Sequence, residues 1–184
     1  AHDEYLRGVR EAADEFGVLV IADEVQSGIG RTGTLFAYQT SGIRPDIIAM
    51  AKGLGGGFPV GAVIASAEVG DAMTPGTHGS TFAGNPLAMA VAEVILDEVS
   101  APGFLDDVNR RGAVLHAALR GVAENHPEEI VEVRGRGFLC GVRLADHLPA
   151  GDIVAALRAE HVLTAPAAEI TVRFLPPLVI SEEE

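Results

Sequence analysis

Asp23 and Lys52 are the two residues whose types and positions most directly suggest chemistry. Asp23 ends the apolar run "GVLVIAD", and Lys52, the chain's only lysine, ends "IIAMAK" and opens the cluster "KGLGGG". An amine at the end of an apolar strand is expected in a fixed, partly desolvated place, and desolvation frees a lysine to form a Schiff base. The glycines that follow would let a flat molecule approach the backbone. Alone, Lys52 reads more readily as a surface lysine in a loop, and Asp23 as a turn or capping acid. Together they read differently. The C-terminal tips of neighbouring strands in a parallel sheet line one crevice, so an acid and a lysine there face one pocket. That pair suits pyridoxal 5'-phosphate, with a carboxylate to keep its pyridine nitrogen protonated and an amine to hold its aldehyde carbon.

Two other glycine patterns point elsewhere and fail on context. Gly28-Ile29-Gly30-Arg31-Thr32-Gly33 matches G-x-G-x-x-G, the pattern of a dinucleotide site. Such a site needs its first glycine at a strand end and its third in a helix, with an acidic residue roughly 20 positions on. Here Glu24, Val25, Gln26 and Ser27 intervene after Asp23, and no helix cap follows Gly33. The only nearby acid, Asp46, precedes its strand instead of ending it. A phosphate P-loop puts its lysine after the glycines, whereas Lys52 stands before them.

The elements that would position these residues follow from periodicity and punctuation. The pattern predicts a helix at 2–16, with Leu6, Val9, Ala13 and Phe16 on one face. A strand is expected at 17–22, apolar without alternation and therefore buried on both faces of a largely parallel sheet. A glycine-rich loop runs to about 44, with strands at 46–50 and 60–65. Asn85-Pro86 opens a long helix carrying Leu87, Val91, Val94, Ile95 and Val99, since Asn caps well and Pro suits the first turn. "SAPG" at 100–103 marks a domain boundary. Beyond it come a helix at 104–125, strands at 130–134 and 137–144, a helix at 151–160 and a strand at 170–174. The reading is α/β, with a sheet domain over 1–100 and a small α+β domain over 101–184. Ser181 with Glu184 forms a capping-box pattern for a further helix.

Composition narrows the functional class. The 184 residues are 48% hydrophobic and hold 13 Lys plus Arg against 26 Asp plus Glu, a formal charge of -13. That field disfavours nucleic acid and anionic lipid surfaces. No apolar run approaches the roughly 20 residues of a membrane span. A single cysteine, Cys140, excludes an internal disulfide and fits a reducing compartment. Set in "GRGFLCGVRLA", it reads as a buried structural thiol, not a nucleophile.

Three longer stretches, "IADEVQSGIGRTG", "PDIIAMAKGLGGGFPVGAVIA" and "HGSTFAGNPLAMAVAEVIL", resemble the class III, pyridoxal-phosphate-dependent aminotransferases. The likeness covers essentially the whole chain but only about the second half of a family member. It implies the type I transferase fold: the C-terminal portion of a large, mostly parallel-sheet domain, followed by the small domain. Lys52 matches the Schiff-base lysine that also shuttles the proton, and Asp23 the acid on the pyridine nitrogen. Glu24 and Val25 lie in the same cofactor-binding stretch, and Gln26 matches the residue near the cofactor's phenolic oxygen. Thr81 matches a hydroxyl given to the cofactor phosphate across a homodimer interface, with Ser80 beside it near the substrate. Arg173, in "VRFLPPLVISEEE", matches the arginine that binds a substrate carboxylate.

"GGGFPVGA", "HGSTFAGNPLA" and that tail favour the branch whose amino donor is N-acetylornithine and whose acceptor is 2-oxoglutarate. Succinylornithine, ornithine and 4-aminobutyrate are neighbouring donors. The resemblance further implies a cytoplasmic enzyme of arginine biosynthesis, with no metal. Arg31 reads as a structural ion-pair residue, and no chemistry is assigned to His78. The upstream phosphate loop, ring-stacking aromatic and second substrate arginine of the family are not in this sequence. A fragment, inactive by itself, is therefore the expectation.

Overall fold

The structure is a computed structural model describing residues 2–184, which fall into two compact units divided between Phe104 and Leu105. In the first, helix α1 (Asp3–Phe16) ends where Gly17 takes a left-handed conformation, φ 62°. Its polar side chains dock it: the Asp3 carboxylate accepts from Thr40 at 3.1 Å and Ser41 at 3.0 Å. Arg10 pairs with Asp46 at 2.7 Å, and Asp46 also accepts from the Val20 amide at 2.7 Å. That amide and the Arg10 guanidinium hold the Asp46 carboxyl below its usual range. Of the expected apolar stripe only Ala13 is buried, and Phe16 is exposed.

Strands β1 (Ile21–Asp23), β2 (Ile47–Met50) and β3 (Ala62–Ala65) form a sheet in that order. β1 and β2 are parallel, with Asp23 beside Ala49, whereas β3 returns antiparallel to β2. The first strand is shorter than its apolar run suggested, and it is not buried on both faces. Val18 and Leu19 are exposed, and Ile21 is 63% exposed. β1 is also an edge strand, paired only with β2. A short helix, α2 (Ala67–Asp71), follows β3, and α3 runs Pro86–Ser100 with Asn85 capping the Ala88 amide at 2.9 Å. The buried face of α3 carries Ala88, Ala92 and Val99, while Leu87 and Val94 point to solvent.

The second unit is a four-stranded antiparallel sheet with two helices, α4 (Phe104–Asn125) and α5 (Ala150–Ala159). Its strands are β4 (Ile130–Arg136), β5 (Leu139–Leu144), β6 (Ala165–Pro166) and β7 (Thr171–Phe174), in the order β4-β5-β7-β6. Alternation puts Cys140, Val142 and Leu144 of β5 on the core face, where Val142, Leu144, Ala150, Val154 and Val172 form one cluster. Strand β6 escaped the sequence pattern, since two residues including a proline show no alternation. A Cβ on Gly112 would stand 2.8 Å from the Gly137 carbonyl oxygen, so α4 meets the β4–β5 turn through glycine. One turn on, buried His116 contacts the same oxygen at 3.1 Å. The expected capping box at 181–184 does form, Ser181 and Glu184 bonding reciprocally at 3.2 and 3.0 Å.

Candidate active site

The parallel register of β1 and β2 places Asp23 level with Ala49, and Lys52 follows just past the end of β2. Both residues therefore belong to the C-terminal edge of one parallel pair. Asp23 is exposed, and its Oδ1 accepts the Val25 amide at 3.0 Å, which fixes the carboxylate with its second oxygen still to offer. Lys52 does not sit at the strand end itself. It opens a 3-10 turn, Lys52–Gly55, with φ 44°. Nor is it partly desolvated as expected: it is exposed, because the turn carries it beyond the sheet edge.

The residues after Asp23 fix the edge. The Glu24 amide donates to the Ala49 carbonyl at 2.8 Å, tying the chain after Asp23 to the strand that leads to Lys52. Glu24 is 3% exposed. Its carboxylate accepts from Ser27 at 2.5 Å and from the Tyr38 amide at 2.9 Å. The Glu24 carboxylate thus ties the loop together, beside the backbone link to Ala49. Val25 and Gln26 are half-buried.

The 28–33 glycines are a structural connector. Gly28 allows the chain to pass over Glu24, since a Cβ there would meet the Glu24 carbonyl at 2.8 Å. Gly30 and Gly33 take φ 81° and 88°. Ile29, between Gly28 and Gly30, is 1% exposed. Arg31 is half-buried, and loss of solvent lowers its guanidinium's affinity for a proton.

Ser80, Thr81 and His78 lie together in an exposed stretch of turns between α2 and α3. In the second unit, Arg173 sits on β7 between Gly141 of β5 and Ala165 of β6. Val172 and Phe174 pack on the core, so Arg173 projects from the opposite face, as the alternation of "TVRFL" implies. Cys140 is 1% exposed, 3.8 Å from His116, and desolvation pushes its thiol up to about 11. A thiol so raised is protonated at neutral pH, which fits the structural reading.

Two arrangements had no usable sequence signal. Arg111 of α4 donates to the Leu178 and Ile180 carbonyls, pairs with Asp107 at 2.6 Å and lies over the Phe138 ring at 5.6 Å. Ile29 takes φ 54°, and an isoleucine at positive φ is a conformational outlier. Among the described residues no cluster of His, Cys, Asp or Glu is arranged to hold a metal ion.

With this geometry in view, the comparisons with known proteins agree in kind. The family described as aminotransferase class-III matches residues 1–184, and the chain belongs to that family. Acetylornithine aminotransferase 1 of Bradyrhizobium diazoefficiens is 48% identical over 98% of this chain, which spans 44% of that relative's length. The crystal structure of N-acetylornithine aminotransferase from Stenotrophomonas maltophilia superposes with a TM-score of 0.88 at 36% identity. It covers the whole chain, which corresponds to 48% of that structure. The ornithine aminotransferase of Toxoplasma gondii gives a TM-score of 0.91 at 40% identity, over 98% of this chain and 43% of its own. The chain thus has the mixed α/β architecture of the C-terminal portion of a class III aminotransferase. It spans a little under half the length of the relatives it matches.

Proposed function

We propose that this chain carries the Schiff-base lysine and the pyridine-binding acid of a pyridoxal-phosphate-dependent aminotransferase. The observation behind the reading is the shared edge: Asp23 ends β1 in register with Ala49 of the parallel β2, and Lys52 opens the turn just past the end of β2. The donor set fits the group, since an exposed carboxylate with one oxygen fixed by an amide and an exposed amine are what the ring nitrogen and the aldehyde require. Pyridoxal 5'-phosphate, when bound, supplies an electron-withdrawing ring and an aldehyde that takes up an amino group.

The chain's own residues do the rest. Asp23 accepts a hydrogen bond from the ring nitrogen and keeps its proton in place. The Lys52 amine would hold the cofactor's aldehyde carbon and, as a free amine, would serve as the general base that moves a proton. Gln26 bonds near the phenolic oxygen. Glu24 and Val25 contribute through their backbone, which holds Asp23 in position. Thr81 gives its hydroxyl to the phosphate across a homodimer interface, and Ser80 lies beside the substrate. Arg173 grips a substrate carboxylate with its planar fork.

The favoured reaction moves the terminal amino group of N-acetylornithine to 2-oxoglutarate, in a cytoplasmic enzyme of arginine biosynthesis. Relatives at 48% identity bearing the acetylornithine name support this donor. The likeness to ornithine aminotransferases keeps ornithine as the second reading. No helix among the described residues is long and apolar enough to cross a membrane. Lys52→Ala in the full-length protein should abolish covalent retention of pyridoxal phosphate, measured by borohydride reduction and peptide mass spectrometry. Asp23→Ala should retain the label at Lys52 while slowing turnover. Label remaining in the Lys52→Ala protein would assign the lysine elsewhere.

A further inference from the structure

In the first unit two residues other than glycine adopt left-handed backbone, Ile29 at φ 54° and Lys52 at φ 44°. They meet. Beside Lys52, Gly53 would place a Cβ 3.3 Å from Ile29 Cβ and 3.7 Å from its Cγ2, so the isoleucine lies directly on the turn that begins with the lysine. A β-branched side chain strongly disfavours positive φ, and strained residues persist where the surrounding structure over-determines them. At 29 that structure is the loop whose carbonyls and amides pair around it, Gly28 to Glu24 at 2.9 Å and Gly33 to Gly30 at 3.0 Å. The far end of the turn is closed too: at Gly56, φ 54°, a Cβ would lie 2.6 Å from Ile95 Cδ1 of α3. Val60 and Ile95 crowd the far end of the turn, and Ile29 supplies the atoms nearest to Gly53, the residue next to Lys52.

We propose that Ile29 is a positioning residue for Lys52: seated on Gly53, it fixes the left-handed backbone at the lysine and so sets the direction in which the amine leaves the sheet edge. This rests on Lys52 being the cofactor-binding lysine. Without the wedge, Lys52 relaxes toward ordinary φ and its amine samples other directions. The test uses full-length protein stripped of cofactor. The rate of covalent capture of added pyridoxal phosphate at Lys52 is followed by borohydride trapping and peptide mass spectrometry, beside kcat, KM and melting temperature.

Ile29→Ala should slow capture and lower kcat by about tenfold, a misplacement effect, with both KM values within about twofold of wild type. Ile29→Val, which keeps Cβ and Cγ2, should restore capture to near wild type. Ile29→Leu keeps the volume but moves the branch off Cβ, and should capture more slowly than the valine variant. That pair decides the matter if the alanine variant does not fold. Wild-type capture by Ile29→Ala, or by Ile29→Leu, overturns the positioning role and leaves Lys52 in place. No capture at Lys52 in the wild-type protein overturns the underlying reading instead.

Discussion

At the residue scale, side-chain type counts less than where the backbone aims it. Arg173 shows this well. Its neighbours Val172 and Phe174 belong to the core, which turns the guanidinium to the opposite sheet face, and the flanking positions on β5 and β6 are Gly141 and Ala165. The Arg134 and Thr171 side chains lie over Gly141, so Arg173 shares that face with a second arginine. A charge-assisted hydrogen bond is worth about 1.5–3 kcal/mol. Arg173→Lys in the full-length enzyme should therefore reduce kcat/KM by roughly ten- to a hundredfold, since a point charge cannot replace the planar fork. The loss should appear for amino donor and 2-oxoacid alike, because each presents a carboxylate. Unchanged kcat/KM for both would move that role to another arginine.

At the element scale, close approach through glycine decides how helices seat. α4 meets the β4–β5 turn at Gly112, where an added Cβ would stand 2.8 Å from a backbone oxygen and 3.0 Å from the Gly137 α-carbon. Backbone cannot yield as a flexible side chain can. Gly112→Ala should destabilise the second unit by roughly 1–3 kcal/mol despite alanine's better helix propensity. Gly121, on the same helix with nothing near its absent Cβ, serves as the control, and Gly121→Ala should be neutral or stabilising. Chemical denaturation of the two variants measures the difference; equal midpoints would contradict the packing argument.

At the scale of the whole molecule, acid should act on the two units at different pH. In the second unit, burial holds the His116 imidazole below its ordinary 6.5, opposed by the contact with the Gly137 carbonyl. The unfolded chain then binds the proton more readily than the folded one, so stability is complete above 6.5 and falls as pH drops toward the lowered folded value. In the first unit, Asp46 is depressed below 3.8 by the Val20 amide and Arg10. Its contribution is present above that value and is lost only as pH falls through the lower folded one. Melting measured from pH 7.5 to 5.5 should fall for the second unit, and His116→Gln should flatten that slope. A slope unaltered by the substitution would place the titrating group elsewhere.

The sequence by itself determined what local rules control. Asn85-Pro86 starts a helix, α4 spans its expected 104–125, Arg173 opposes Val172, and Cys140 is buried, because capping and periodicity are written within a few residues. Motif context also turned the 28–33 glycines away from dinucleotide binding. Tertiary structure decided what depends on distant partners. The inward turn of Glu24 onto Tyr38 and the left-handed backbone of Lys52 near Ile29 both arise from contacts between separate segments. An apolar run specifies that a strand can be buried, not how many neighbours will cover it. In the same way, an isoleucine between glycines reveals its strain only when Gly53 is brought beneath it.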